Sequence, residues 1–539
     1  MTGRAAGSNV LPLAALAVAL FGLYAFSLGR APIYLHEAEV MFALHAHSIA
    51  TTAHDTYGRF LPLYFQMAPI GENVWFQPAL VYFTALFLRV LPVAEWTVRL
   101  PSVVVALADV AWIYVIARRL FERKRSAVLA AALLALTPAH FIHGRIAMDY
   151  LYPVPFVLGW LLCLSVFLDR RRLIFLFAAT SLLGLGMYTY IASIMMMPVY
   201  LALTFLALFR THHHSSRPYL TALAGFGWPL VLLLWLVFHP FVINETFGRY
   251  RIGQIAAAPA PVAGLPLPAL LEMVRHAVRF SELTGRLSLY WYFFDPAFLF
   301  VTGGYTNVVN STRHVGVFLI PLLVFVPVGL VAAVRRPTVM NATIVTGFLA
   351  APLAACLVVP EPYAIDRELA ILPFGVLLAV VGVEAMLASP ARRWRGAAIG
   401  LLAIIPLHFA FFLYDYYGDY RTRSAIWFNG NRRAALEEII ARTSGADPPR
   451  KIYLSTAHIP YLDVYWRLYL VKHRRDDLLQ QTVYFDAESL DVRTIPPGSL
   501  MLASTNDARL RTLVQSGQLL KLADVPEPGD PPFFMLLRR

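Results

Sequence analysis

The segment APIYLHEAEVMFALHAHSIATTAHDTYGRFLPLYF sets His36, Glu37, Glu39, His45, His47, His54, Asp55 and Arg59 just beyond the first apolar run. Three distant points also put ionisable groups at the edge of an apolar run. They are Arg145 and Asp149 in HGRIAMDYLY, Arg313 and His314 in GYTNVVNSTRHVG, and Asp366 and Arg367 in EPYAIDRELAILP. A carboxylate or histidine can take a proton from a hydroxyl. Arginine can receive a phosphate that leaves as an anion, so such a leaving group needs cations or a metal more than a strong general acid. The set suits transfer of a sugar from a lipid phosphate to a hydroxyl, provided that a hydrophobic groove takes the lipid tail.

Elements must bring these points together. The chain has 539 residues, 58% hydrophobic and 14% charged, with a mean hydropathy of +0.61. Soluble proteins carry about 25% charged residues, so lipid must cover much of this surface. The net charge of +13 belongs first to cytoplasmic loops. No basic run interleaved with aromatics points to nucleic acid. Cys163 and Cys356 stand alone in apolar runs, which offers neither a disulfide framework nor a CxxC metal site.

Apolar runs near 11–29, 101–118, 127–143, 151–168, 174–190, 192–209, 219–240, 314–334, 341–360, 369–388 and 397–415 predict about eleven transmembrane helices. The first is read as a retained span, being too long for a signal-peptide core. The short basic loops ARRLFERKRS, DRRRL, RTHHHSSRP, RRPT and SPARRWRG should face the cytoplasm. They all do so only if the run at 75–92 lies at the outer surface as an amphipathic interfacial helix. The chain then divides into a membrane domain, 1–417, and a small C-terminal α/β extracytoplasmic domain, 418–539. Segments 30–100 and 241–313 become the large outer loops. In the tail, KIYLST, TVYFDA, SLMLAST and FFMLLRR read as strands, and YLDVYWRLYLVKH and ARLRTLVQSG as helices. By this count all four polar points face outward together.

Each residue also has a plainer reading. Glu37 is a base or acceptor-positioning group, or a carboxylate favoured by a helix N-terminus. Asp149 contacts donor or acceptor, or caps a helix. His36 is a substitute base, or a neutral residue in a weakened site. His45, His47 and His54 are interfacial residues more readily than a metal set, because a two-residue spacing turns side chains to different sides of a helix. A divalent metal is a candidate cofactor without assigned ligands. Arg59, Arg313 and Arg367 bind phosphate, or sit among lipid headgroups. Tyr188 and Tyr190 line the lipid groove, or pack in the core.

The runs HEAEVMFALHAHSIATTAHDTYGRFLPLYF, FQPALVYFTALFLRVLPVAEWTVRLPSVVVAL, IARRLFERKRSAVLAAALLALTPAHFIHGRIAMD, GMYTYIAS, FFDPAFLFVTGGYTN and DRELAILP resemble the polytopic glycosyltransferases of family 39. These include the protein O-mannosyltransferases, with the lipid A aminoarabinose transferase a relative and the oligosaccharyltransferase catalytic subunit more distant. The resemblance covers roughly the first 400 residues. It implies the GT-C fold, a polyprenyl-phosphate-linked sugar donor and inversion at the anomeric carbon. The family's Asp-Glu pair after the first span reads His36-Glu37 here. Its second acidic position matches Asp149, and its first-loop Asp-x-x-Gly-Arg matches Asp55, Gly58 and Arg59.

The expectation is an integral membrane transferase, placed by composition in a bacterial inner membrane, with its site facing outward. Glu37, with His36, handles a lipid, glycan or protein acceptor; Asp149 and Asp55 shape the sugar pocket; Arg145, Arg313, Arg367 and Arg59 receive the phosphate. A lipid-linked sugar flippase and a scaffold with altered activity are the rivals. A flippase needs key charges at the membrane midplane, where only Asp109 and Glu384 stand, neither with an evident partner.

Overall fold

Helix boundaries follow from proline, glycine and arginine in the apolar runs. The computed structural model describes residues 10–67, 75–121, 123–212, 214–239, 285, 287–304, 308–358, 361–445, 448–486, 488, 490–529 and 531–539. The loop expected at 241–313 falls largely outside these residues.

Helix α1 is Val10–Ala25. Helix α2, Glu37–Thr52, opens on a capping box: the His36 side chain accepts from Ala38 N–H, and the Glu39 carboxylate accepts from His36 N–H. Helix α3 is Ala79–Leu88. Its 10 residues span about 15 Å, half the hydrocarbon thickness. It cannot cross; its buried residues lie along one face, but the opposite face carries Phe83, Leu86 and Phe87, so it is apolar rather than amphipathic. Helix α4, Glu95–Phe121, carries Glu95 in its first turn and Arg118 and Arg119 in its last, the polarity that the helix dipole favours.

The run at 127–143 is two helices, α5 Lys124–Ala135 and α6 Pro138–His143. Proline cannot continue a helix but starts one well, so Pro138 divides them. Helices α7 Val154–Arg170, α8 Leu173–Gly186, α9 Ser193–His212 and α10 Arg217–Gly227 follow. The run at 219–240 does not stay helical in one piece: Pro229 lies in a 3-10 turn, Trp228–Leu233. The run at 314–334 begins its helix late, after Pro321, as α11 Leu322–Arg335. Helices α12 Val339–Val358, α13 Ile371–Leu387 and α14 Arg392–Tyr417 complete the bundle.

Five described segments, 95–121, 149–170, 193–212, 339–356 and 392–423, are long and apolar enough to cross a membrane. The other expected runs fall on shorter helices. Helices α11 and α13 approach to backbone contact: a Cβ added at Gly382 would lie 2.0 Å from the Phe325 carbonyl oxygen, and one at Gly329 1.8 Å from that of Leu378. Small residues permit such closeness between membrane helices.

The tail adds a five-stranded sheet. Strands β1 Phe65–Gln66 and β2 Trp75–Phe76 form a separate pair. In the tail, β3 Ile452–Ser455 runs parallel to β4 Thr482–Phe485 and to β5 Leu500–Ser504. Strand β7, Phe534–Arg538, is antiparallel to β5 and to β6, Leu520–Val525, which gives the order β4-β3-β5-β7-β6. The sequence pattern missed β6, whose outer position leaves it largely exposed and without an apolar face. It also missed helix α15, Arg432–Thr443. Helices α16 Leu462–His473 and α17 Ala508–Gln515 were legible. Helix α16 packs on α2. It bonds to both sides of that junction: Tyr465 Oη donates to the Leu35 carbonyl at 2.7 Å, and Lys472 Nζ to both Glu95 oxygens at 2.8 and 3.0 Å.

Candidate functional site

Glu39, rather than Glu37, is the carboxylate that organises the first loop. It is fully buried and forms a two-pronged pair with Arg99, Nε to Oε1 at 2.8 Å and Nη2 to Oε2 at 2.9 Å. Ala147 N–H also donates to it, at 2.8 Å. Burial alone would raise its pKa, but the Arg99 charge and these hydrogen bonds outweigh burial and hold it below the usual range. Arg99 further donates to the carbonyls of Leu28, Pro32 and Tyr34. One buried pair thus fixes the exit of α1, the start of α2 and the turn before Asp149.

That framework leaves Glu37 free for other work. Its Oε2 accepts from Asn429 Nδ2 at 2.5 Å and lies 3.1 Å from His36 Nδ1. Asn429 comes from the tail and also reaches Tyr465 Oη at 3.1 Å. It holds a left-handed backbone, φ 64°, which asparagine tolerates better than most residues. Burial lowers the His36 pKa against the opposing pull of Glu37 and Glu39, so its ring is neutral at neutral pH.

Two of the other polar turns meet beside Tyr150. Asp149 lies in a short 3-10 turn, Asp149–Leu151, that touches a second one, Ile365–Arg367. Asp149 is fully buried, with both carboxylate oxygens unpartnered among the described residues. Burial pushes the Asp366 pKa up to about 6, against the Arg367 charge. Tyr190 packs edge-on to Tyr150, ring centroids 5.4 Å apart. Glu368, beside Asp366, is fully buried with no partner for either oxygen among the described residues. Acidic, basic and phenolic groups from three separate segments therefore lie close together.

Other expected residues lie elsewhere or are already engaged. Asp55 spends its carboxylate inside its own turn, accepting from Tyr57 N–H, Arg59 N–H and Arg59 Nε at 2.9, 2.9 and 2.7 Å. Arg59 in turn lies over the Trp75 ring, 4.6 Å from its centroid. The pair is a loop clasp. Arg145 is fully buried and donates to the carbonyls of Tyr24 and Ala31 and to Tyr416 Oη; its contacts tie spans together. Arg313 has its guanidinium near the Trp427 ring, with Nε unpartnered among the described residues. Tyr188 donates to the Pro229 carbonyl at 2.8 Å, a packing contact. Among the described residues, one cluster has metal-like spacing: His314, Asp415 and Asp419. Arg423 already pairs with Asp419 at 2.8 Å and lies 3.7 Å from Asp415. His45 instead bonds the Gln66 carbonyl at 2.8 Å.

This arrangement can be set beside known proteins. ArnT from Cupriavidus metallidurans in the apo state overlays with TM-score 0.55, 13% identity and coverage of 98% of both chains. ArnT bound to undecaprenyl phosphate overlays equally well, covering 98% of this chain and 97% of that one. The chain has the GT-C fold. The sequence model for dolichyl-phosphate-mannose-protein mannosyltransferases matches residues 77–235, within the span of the resemblance read from sequence. Archaeal oligosaccharyltransferase AglB from Archaeoglobus fulgidus, solved with an inhibitory peptide and a dolichol-phosphate, has TM-score 0.45 and 13% identity over 91% of this chain and 69% of its own. No curated protein matches the chain at a significant level. Within the GT-C bundle, the residues that sequence reasoning missed are Tyr150, Glu368, Asn429 and Arg99. Each gains meaning only from what folds against it.

Proposed function

We propose that this protein is an integral membrane glycosyltransferase that moves a sugar from a polyprenyl-phosphate carrier to a hydroxyl on the extracytoplasmic side, with inversion. The observation that carries the reading is the contact between the Asp149–Leu151 and Ile365–Arg367 turns, with Tyr150 packed on Tyr190, in a fold shared with ArnT. The match to a mannosyltransferase family over 77–235 and an ArnT structure bound to undecaprenyl phosphate support the donor class.

Glu37 orients the acceptor hydroxyl and takes its proton, with Asn429 holding the carboxylate in place. His36, neutral and adjacent, is its neighbour in that task. Asp149 faces the sugar. Arg367 meets the departing phosphate, and Arg313 is a second cation for it. Asp55, Arg59 and Arg145 hold the loops rather than the substrate. The membrane domain is 1–417 and the tail, 418–539, closes the site from outside. The setting is a bacterial inner membrane with the site on its periplasmic face. The acceptor is a lipid, a glycan or a protein.

The test is transfer of labelled sugar from a polyprenyl-phosphate donor by the purified full chain. Glu37→Gln should lower turnover by about 10²–10⁴-fold, and Asp149→Asn should add to the loss. Full activity in the double variant would overturn these roles. Carrier transport in proteoliposomes without transfer would replace the reading with a flippase.

A further inference from the structure

A cleft with a volume of about 540 Å³ lies beside this site, where the turn after α1 meets the tail. Arg30, Tyr34, Arg421, Arg433 and Glu527 are among its lining residues. An adjoining space of about 440 Å³ shares Gly29, Arg30 and Arg433 and continues to Phe26 and Trp96. Three guanidinium groups from separate stretches of chain thus line one groove.

The negative charge in the groove is already engaged. Glu527 accepts from Asn431 N–H at 2.5 Å and from Tyr34 Oη at 3.3 Å. Glu95 is held by Lys472, with Arg433 3.5 Å away. Arg30 and Arg421 form no ion pair with any described residue, and Arg421 Nε is buried without a partner among them. Two cations are left facing the space, the requirement for a phosphate-bearing ligand. The mouth indicates where the ligand comes from. Phe26 follows the end of α1, Trp96 stands at the start of α4, and both are exposed, 66% and 42%. Exposed aromatics at the ends of membrane helices mark the lipid–water boundary. The wall also adjoins the site, because Asn431 lies two residues from Asn429, the donor to Glu37.

We propose that this cleft binds the phosphate of an anionic lipid headgroup through Arg30 and Arg421. Under the glycosyl-transfer reading, on which only this role depends, the bound lipid is the acceptor and its headgroup hydroxyl is presented towards Glu37. The binding itself does not require that reading.

The experiment measures binding of short-chain phosphatidic acid, phosphatidylcholine and inorganic phosphate to the detergent-solubilised full chain by native mass spectrometry. Phosphatidic acid should bind in preference to phosphatidylcholine, and inorganic phosphate should not bind at the same concentrations. Arg30→Gln with Arg421→Gln should weaken phosphatidic acid binding about tenfold or more. Arg30→Gln alone, at an exposed position, should weaken it measurably in a protein with unchanged unfolding temperature. Glu37→Gln should bind the lipid normally, which separates this proposal from the catalytic one. Equal binding by wild type and both arginine variants would overturn it, as would equal binding of phosphatidylcholine. Binding of inorganic phosphate as tight as that of the lipid would assign the cleft to a soluble ligand and overturn the lipid source.

Discussion

At the scale of single residues, the two glutamates of α2 divide their work by environment. Glu39 sits in a dry, fully bonded pocket with Arg99 and is structural. Glu37 has one donor from the tail and retains oxygen capacity for a hydroxyl. Asp366 has the opposite problem, being buried with its charge only partly offset, so its pKa stands near 6. The folded chain then holds that proton more tightly than the unfolded chain, whose aspartate titrates near 3.9. Between about pH 4 and 6 the native state binds more protons than the unfolded state, so this group's contribution to stability falls as pH rises. The total is about 3 kcal/mol. Asp366→Asn should flatten that slope in thermal unfolding measured across the same pH range. An unchanged slope would mean that Asp366 titrates as an ordinary carboxylate.

At the scale of elements, α11 and α13 meet through Gly329 and Gly382 with no space for a methyl group on either. Gly382→Ala must force the helices apart, at a cost of about 1–3 kcal/mol or more. Gly396 in α14 provides the contrast, because nothing lies within 4 Å of its added Cβ. Gly396→Ala should stabilise by up to about 1 kcal/mol through helix propensity. Unfolding temperatures of the two variants should move in opposite directions; a common direction would deny the close packing. The two carboxylates that stood without an evident partner in the sequence differ in the fold. Half-buried Glu384 pairs with Arg123 at 2.7 Å. Fully buried Asp109 lies 3.5 Å from His140 Nε2, with neither of its oxygens hydrogen-bonded among the described residues.

At the scale of the whole molecule, the tail is seated on the bundle by few but specific contacts. Lys472 bridges Glu95 at the start of α4 to Glu437 in α15, the latter at 2.7 Å. Tyr469 Oη adds a bond to Glu95 at 3.2 Å. Lys472→Met should leave Glu95 with Arg433 and the Tyr469 hydroxyl. Breaking a buried pair costs about 3–5 kcal/mol, and the remaining arginine reduces this to about 2–3 kcal/mol. Hydrogen exchange should then quicken in α16 more than in α7. Uniform exchange in both would show that this bridge does not seat the tail. Because Asn429 and α16 share that seating, loosening it should also lower transfer activity.

The amino-acid sequence by itself determined the membrane class, the placement of the apolar segments and most of the tail's strands. Hydrophobicity, period and proline are local properties, and a bilayer or a sheet reads them locally. It also marked Glu37, Asp149, Asp366 and Arg367 as worth attention, since charge at the edge of an apolar run is costly and therefore informative. Only the tertiary structure decided which charges were already spent. Asp55 and Arg145 look as functional in sequence as Glu37, yet one closes its own turn and the other donates to backbone carbonyls of α1 and of the turn after it. Asn429 reaches Glu37 across 392 positions of chain. A hydrogen bond depends on distance in space, which no local pattern of residue types encodes.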